Sequence, residues 1–290
     1  MKGLFYENTK VENLRDKYIE PPFTILSSKG GEWQKRKKAW LGIGIKSEIG
    51  RNAECNPTFN SVLDENGLNK YGRKPMTGIS IFDPVLCEVM YHWFCLKGGR
   101  ILDPFAGGSV RGVVANYLGY KYTGIDIRPE QIESNYEQAN NIFKDNHNKP
   151  EWICGDSDKV LDVIDDKFDM IFTCPPYTDL EVYSDLEGDI SNMDYDDFMT
   201  AYRSIIKKSC DKLKSGGYAV FIVGEVRDKQ GNYIGFIPDT INSFRDIGMN
   251  YYNEAVLETP LGTAMLRASN TMKNKKLVKV HQNILVFKKN

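Results

Sequence analysis

The sequence has only three histidines, far apart, and its six cysteines contain no CxxC pair. Cys55, Cys87, Cys95, Cys154, Cys174 and Cys210 are scattered, several of them in apolar segments. That pattern argues against a zinc site or a disulfide framework and for reduced thiols in a cytoplasmic protein without a structural metal. No apolar run reaches the roughly 18 residues a membrane span needs, and the opening stretch MKGLFYENTKVENLRDKY has no signal-peptide core. No GxGxxG fingerprint, internal repeat or low-complexity stretch is present. The last thirty residues, 261–290, contain no acid at all, against seven basic residues.

Charge is unevenly spread along a chain that is nearly neutral overall. Residues 151–200 carry fifteen acids and two lysines, whereas residues 1–75 carry fourteen basic and nine acidic residues. Segregation of this kind is either ordinary solvated surface or a polyanion site built from the two ends of the chain. At 290 residues the chain is long enough for one large α/β domain or two small ones.

Residues 1–75 have weak periodicity and read as an irregular extension, a candidate recognition or clamp segment; residues 76–290 read as the catalytic domain. From residue 78 onward, apolar strands alternate with helices. DPVLCEVMYHWFCL predicts a helix with Asp83 as N-cap and Pro84 at its first position. SVRGVVANYLG predicts a helix closed by Gly119, and DYDDFMTAYRSIIKKSCDKLKSGG one capped near Asp194 and ended by Gly216. The alternation implies a doubly wound, mostly parallel sheet, with ligands beyond the carboxyl ends of its strands.

Four strand ends carry the chemistry. LDPFAGG places Ala106, Gly107 and Gly108 between strand and helix, where backbone can approach a ligand. GID ends in Asp126, spaced from the glycines as an acid that grips a ribose diol would be. CGDS ends in Asp156, and TCPPY closes a buried strand on a rigid Pro-Pro corner bearing an aromatic. Three of them have a plainer alternative: Asp103 as a turn residue, Asp156 as a helix cap, Tyr177 as core packing.

These motifs, in this order, resemble the S-adenosylmethionine-dependent amino-methyltransferases that act on adenine N6 or cytosine N4 of DNA. The likeness covers residues 75–287, and the N-terminal part is similar to that of solitary methylases carried by bacteriophages. It implies a seven-stranded Rossmann-like methyltransferase sheet and S-adenosylmethionine as cofactor. It also implies duplex DNA as partner, in a bacterial or phage-infected cell. Phe82, Asp103, Phe105, Ala106 and Gly107 would line the methionine end of the cofactor, Asp126 would hold the ribose, and Asp156 with Ile127 the adenine. Cys174, Pro175, Pro176 and Tyr177 would hold the flipped base. The sequence departs from the family at Cys174, where Asp, Asn or Ser is usual, and at Gln282, where an acid is common. The target base therefore stays open. Methylation of RNA or protein, and a non-catalytic DNA-binding role, are the competing readings.

For DNA contact the sequence offers Trp33, Lys35, Arg36, Lys37 and Lys38 in GGEWQKRKKAW, together with Arg267 in a basic segment that reads as a mobile loop. Asp179, Glu181 and Tyr183 read as a lid over the base. Glu225 and Arg227, at the end of a later strand, either touch the base or the lid or pair with each other.

Overall fold

The computed structural model describes residues 13–46, 82–144, 149–176, 186, 188–262 and 264–290. Among the described residues eight strands form one sheet: β1 (Ile25–Ser27), β2 (Arg100–Asp103), β3 (Lys121–Asp126), β4 (Glu151–Cys154), β5 (Phe168–Thr173), β6 (Leu213–Val223), β7 (Asn250–Glu258) and β8 (His281–Lys288). Their order is β1-β7-β8-β6-β5-β2-β3-β4, parallel except for β8, which runs antiparallel between β6 and β7. This is the Rossmann-like methyltransferase fold, with eight strands where seven were expected. The extra strand lies in the segment read as irregular, and it adds to the sheet edge with Ile25 opposite Val256.

Successive residues in the strands face opposite layers, as a two-residue period requires. Ile101, Met170, Phe172, Val220, Ile222, Ile284 and Val286 pack into one core. Leu102, Ile171, Ala219, Phe221, Val223, Leu285 and Phe287 pack into the other. Hence the near-continuous apolar strands: both faces are covered.

The first layer is covered by α2 (Gly31–Gly42), α3 (Pro84–Phe94), α4 (Val110–Tyr117) and α5 (Pro129–Phe143), with the short α1 (Leu14–Tyr18) against α3. The second is covered by α6 (Ser157–Val163), α7 (Tyr195–Lys212) and α8 (Phe236–Arg245). The predicted caps are in place: the Asp83 carboxylate accepts from Val85 N–H at 3.0 Å, with Pro84 in the first turn. Asp194 accepts from the N–H groups of Asp196 and Asp197. Gly119 ends the α4 turn at φ 86°, a conformation glycine adopts without steric cost. Two expectations fail locally. α7 stops at Lys212 and the chain enters β6 at once, before Gly216. The basic segment read as a loop contains a helix, α9 (Ala264–Lys273), with only Ala264 buried.

The chain builds β2, β3 and β4 in one direction, then returns to place β5 on the other side of β2. The order reverses between β2 and β5, so their carboxyl ends flank the crevice that this topology opens. None of the described helices is long and apolar enough to cross a membrane.

Candidate active site

The crevice is organised by a buried ion pair. Asp103, fully buried at the end of β2, accepts from Arg111 Nε at 2.5 Å, Tyr122 Oη at 2.8 Å and Thr173 Oγ1 at 2.6 Å. Arg111 Nη2 donates to the carbonyls of Phe105 and Ala106, at 2.6 and 2.8 Å. Burial works against the Arg111 charge, but Asp103 beside it outweighs that, and the guanidinium is held more firmly cationic than usual. This pair ties β2, β3, β5 and α4 together. Asp103 and Ala106, expected to line the cofactor, instead point into the core: both are 0% exposed and neither is on the cavity wall. An aspartate followed by a glycine-rich turn looks the same in sequence whether its carboxylate faces ligand or core.

The turn that Arg111 holds presents Gly107 at φ 50°. Its N–H donates to Asp126 Oδ2 at 2.9 Å, and its carbonyl accepts from Asn135 Nδ2 at 2.7 Å. Asp126 Oδ1 accepts from Arg128 N–H at 2.9 Å. Burial raises the Asp126 carboxyl above its usual range, with the Arg128 charge and the two N–H bonds opposing it. Asp156 is both a helix cap and a wall residue: it caps α6 through Asp158 N–H at 2.9 Å, and it lines the cavity. Gly188, at φ 92°, sits so close that a Cβ there would lie 3.2 Å from Asp156 Oδ2 and 3.4 Å from Ile127 Cδ1.

The other side is built by α2 and α3. Trp33, Arg36, Lys37 and Trp40 share one face of α2 at three- and four-residue spacing and dock onto α3. Arg36 donates twice to Glu88, each bond 2.7 Å, and Trp40 Nε1 donates to the same carboxylate at 2.8 Å. Trp33 Nε1 and Lys37 Nζ both donate to Asp83 Oδ2, at 3.2 and 3.0 Å. This corrects the reading of the run as one DNA surface for Trp33, Arg36 and Lys37, and leaves Lys35 and Lys38. Trp33 is 1% exposed and belongs to the core, Arg36 is engaged with Glu88, and Lys37 reaches the cavity; only Lys35 and Lys38 have exposed side chains without a role in docking α2. Beside Asp83, Phe82 packs edge-on against Phe172 at 5.8 Å, and the Arg111 guanidinium lies 4.7 Å from its ring centre.

Between these walls lies one cavity of about 700 Å³. It brings together Phe82, Phe105, Gly107, Asp126, Ile127 and Asp156 with Cys174, Pro175 and Pro176 from the end of β5. Ser28, Lys37, Thr259 and Gln282 also lie on the wall, and none of them was expected at the cofactor site. The clue in sequence to Gln282 was its place in the strand KVHQNILVF; Lys37, Ser28 and Thr259 carried no such signal. Tyr177 and the expected lid residues Asp179, Glu181 and Tyr183 lie outside the described residues. Glu225 and Arg227 do not pair with each other. Glu225 caps α8 by accepting from Gly235 and Phe236 N–H at 3.0 and 2.8 Å, whereas Arg227 donates to the Gly231 carbonyl and stacks on Tyr233. Arg267 is exposed on α9. Among the described cysteines none is disulfide-bonded, and among the described residues no cluster of three metal-binding side chains occurs.

No protein-family model and no curated protein matches the chain. Solved structures do. A Pyrococcus horikoshii protein described provisionally as an RNA methyltransferase aligns over 88% of this chain and 98% of its own, at 14% identity and a TM-score of 0.50. Magnesium protoporphyrin IX methyltransferase from Synechocystis, solved with bound S-adenosylmethionine, covers 79% of this chain and 94% of its own, at 10% identity and a TM-score of 0.46. TrmN from Thermus thermophilus covers 72% of this chain at 13% identity and a TM-score of 0.48, and the chain spans only 49% of its length. At these identities the likeness is one of fold, and it makes the molecule a Rossmann-like methyltransferase fold with a ligand-sized cavity at its topological switch point.

Proposed function

We propose that the protein transfers a methyl group from S-adenosylmethionine to an exocyclic amino group of a DNA base. The observation that carries the reading is the single cavity on which Gly107, Asp126 and Asp156 meet the Cys174-Pro175-Pro176 corner. A volume of about 700 Å³ is that of an ordinary small-molecule site. The wall chemistry fits the cofactor. Asp126 and Asp156 each use one or both oxygens for N–H groups but keep lone pairs for a ribose diol and an adenine amine. Phe105 and Ile127 supply apolar surface on the same wall.

When bound, the cofactor supplies an electrophilic methyl group. The chain's own task is to present the amine. An exocyclic amine on adenine or cytosine is a poor nucleophile because its lone pair is delocalised into the ring. Two acceptors gripping its hydrogens favour the tetrahedral nitrogen. Rigid proline rings at 175 and 176 fix the direction of the local carbonyls for this purpose. Catalysis of this kind is positioning and electrostatics with no covalent intermediate. Duplex DNA would have to yield the base by flipping it out of the stack. Arg267, Lys273 and Lys275, exposed on and just after α9, and the exposed Lys35 and Lys38 are the phosphate-binding candidates.

The deciding experiment incubates the protein with methyl-labelled cofactor and duplex DNA, RNA or protein, then locates the label. Label on an amino group of DNA is the expected result. Label in RNA or protein would change the substrate class. Cofactor binding without transfer to any of the three would leave a non-catalytic module.

A further inference from the structure

We infer that Lys37, paired with Asp83, is a subsite for the zwitterionic amino-acid tail of the cofactor, so that the N-terminal helix α2 contributes a residue to the cofactor site. The inference rests on the proposed cofactor and adds to it a residue that no strand-end motif contains. Lys37 and Asp83 line the same cavity as Asp126 and Asp156, but from another quarter. Asp126 and Asp156 follow β3 and β4, on one side of β2. Phe82, next to Asp83, packs against Phe172 of β5, on the other side of β2. A ligand with its nucleoside at the two strand-end acids therefore extends across the Gly107 turn toward this charge pair.

The pair has the right chemistry for an α-amino acid, which presents a carboxylate and an ammonium a few bonds apart. Lys37 Nζ donates once, to Asp83 Oδ2 at 3.0 Å. An ammonium has three donors, so two remain for a ligand carboxylate. Asp83 is committed at Oδ1 to capping α3, and at Oδ2 it receives Trp33 and Lys37, which leaves it a negative partner for a ligand ammonium. The Lys37 side chain is 26% exposed and that of Asp83 13%, so a charged tail entering here loses most of its water and needs such partners. Lys37 is one of several anchors of α2. Trp33 and Trp40 in the core, and the two bonds from Arg36 to Glu88, are others.

The test is calorimetric titration of the wild type, Lys37→Gln and Lys37→Arg with three probes. S-adenosylmethionine has the whole tail, its decarboxylated analogue keeps the amine alone, and 5′-methylthioadenosine has neither charge. Loss of a charge-assisted bond should cost Lys37→Gln about tenfold or more in S-adenosylmethionine affinity. Affinity for the decarboxylated analogue and for methylthioadenosine should be unchanged, and Lys37→Arg should recover most of the loss. Equal weakening of all three probes in a folded Lys37→Gln protein would assign the lysine to shaping the wall and overturn the subsite. So would no weakening at all. A wild type that binds none of the three would overturn the cofactor reading itself, a failure visible before any variant is made.

Discussion

The two walls of the cavity are built on opposite plans. The strand-end wall takes its polar groups from short loops, each fixed by the strand before it and a helix after it. Gly107 N–H donates to the carboxylate of Asp126 at the end of the next strand, and Asp126 and Asp156 each accept from the backbone N–H two residues ahead. The second wall is a helix brought from about fifty residues upstream, and it stays only because side chains grip α3: Trp33 to Asp83, Arg36 and Trp40 to Glu88. The first plan puts the ligand chemistry in contiguous motifs. The second spends conspicuous residues on docking and leaves the ligand to one inconspicuous lysine. A basic-aromatic run is therefore weak testimony for nucleic acid until its helical face is known.

The comparison breaks most readily at the groups that hold each wall. Asp103→Ala would leave Arg111 buried without its counter-charge, at an expected cost of about 3–5 kcal/mol in a denaturant titration. A loss below about 1 kcal/mol would show that the pair does not organise the loops. Trp33→Ala should cost about 3 kcal/mol or more, as large-to-small changes in a core do. A neutral result, together with weaker DNA binding, would restore Trp33 to a surface role. Asp126→Ala should leave the fold intact and weaken S-adenosylmethionine binding by about 1.5–3 kcal/mol, read by calorimetry.

The same carboxyl gives a pH signature. Its folded-state pKa is raised, chiefly by burial, so it takes up a proton at a higher pH than an ordinary aspartate. Cofactor affinity should therefore begin to fall, on acidification, above the usual carboxylate range. The sign for stability is opposite. The stability linked to this group is fully present below its unfolded pKa and is lost as pH rises through the folded one. Affinity that is flat with pH, in a protein whose stability follows this course, would remove Asp126 from the site. The smallest effect belongs to Lys35 and Lys38. Replacing both by Gln should change stability by less than about 0.5 kcal/mol. If they neutralise phosphates, the log–log salt slope of DNA binding should flatten by about 2. An unchanged slope would leave the basic residues on and after α9 as the DNA contact.

By itself the sequence determined what local physics controls. Near-continuous apolar runs set the strands, Asp83 and Asp194 set helix starts, Gly119 set a helix end, and Gly107, Asp126, Asp156 and the Pro-Pro corner lay at strand ends because the order of elements put them there. Tertiary structure alone decided which side of each residue faces the ligand. Asp103 turned inward because Arg111, Tyr122 and Thr173 converge on it from three elements. Glu225 became a helix cap because the N–H groups of residues ten and eleven positions ahead arrive there. The weakly periodic N-terminal segment gained a strand and two helices because a sheet edge and α3 were present to receive them. Short strands and amphipathic helices have little stability of their own, and what they pack against settles their form and their use.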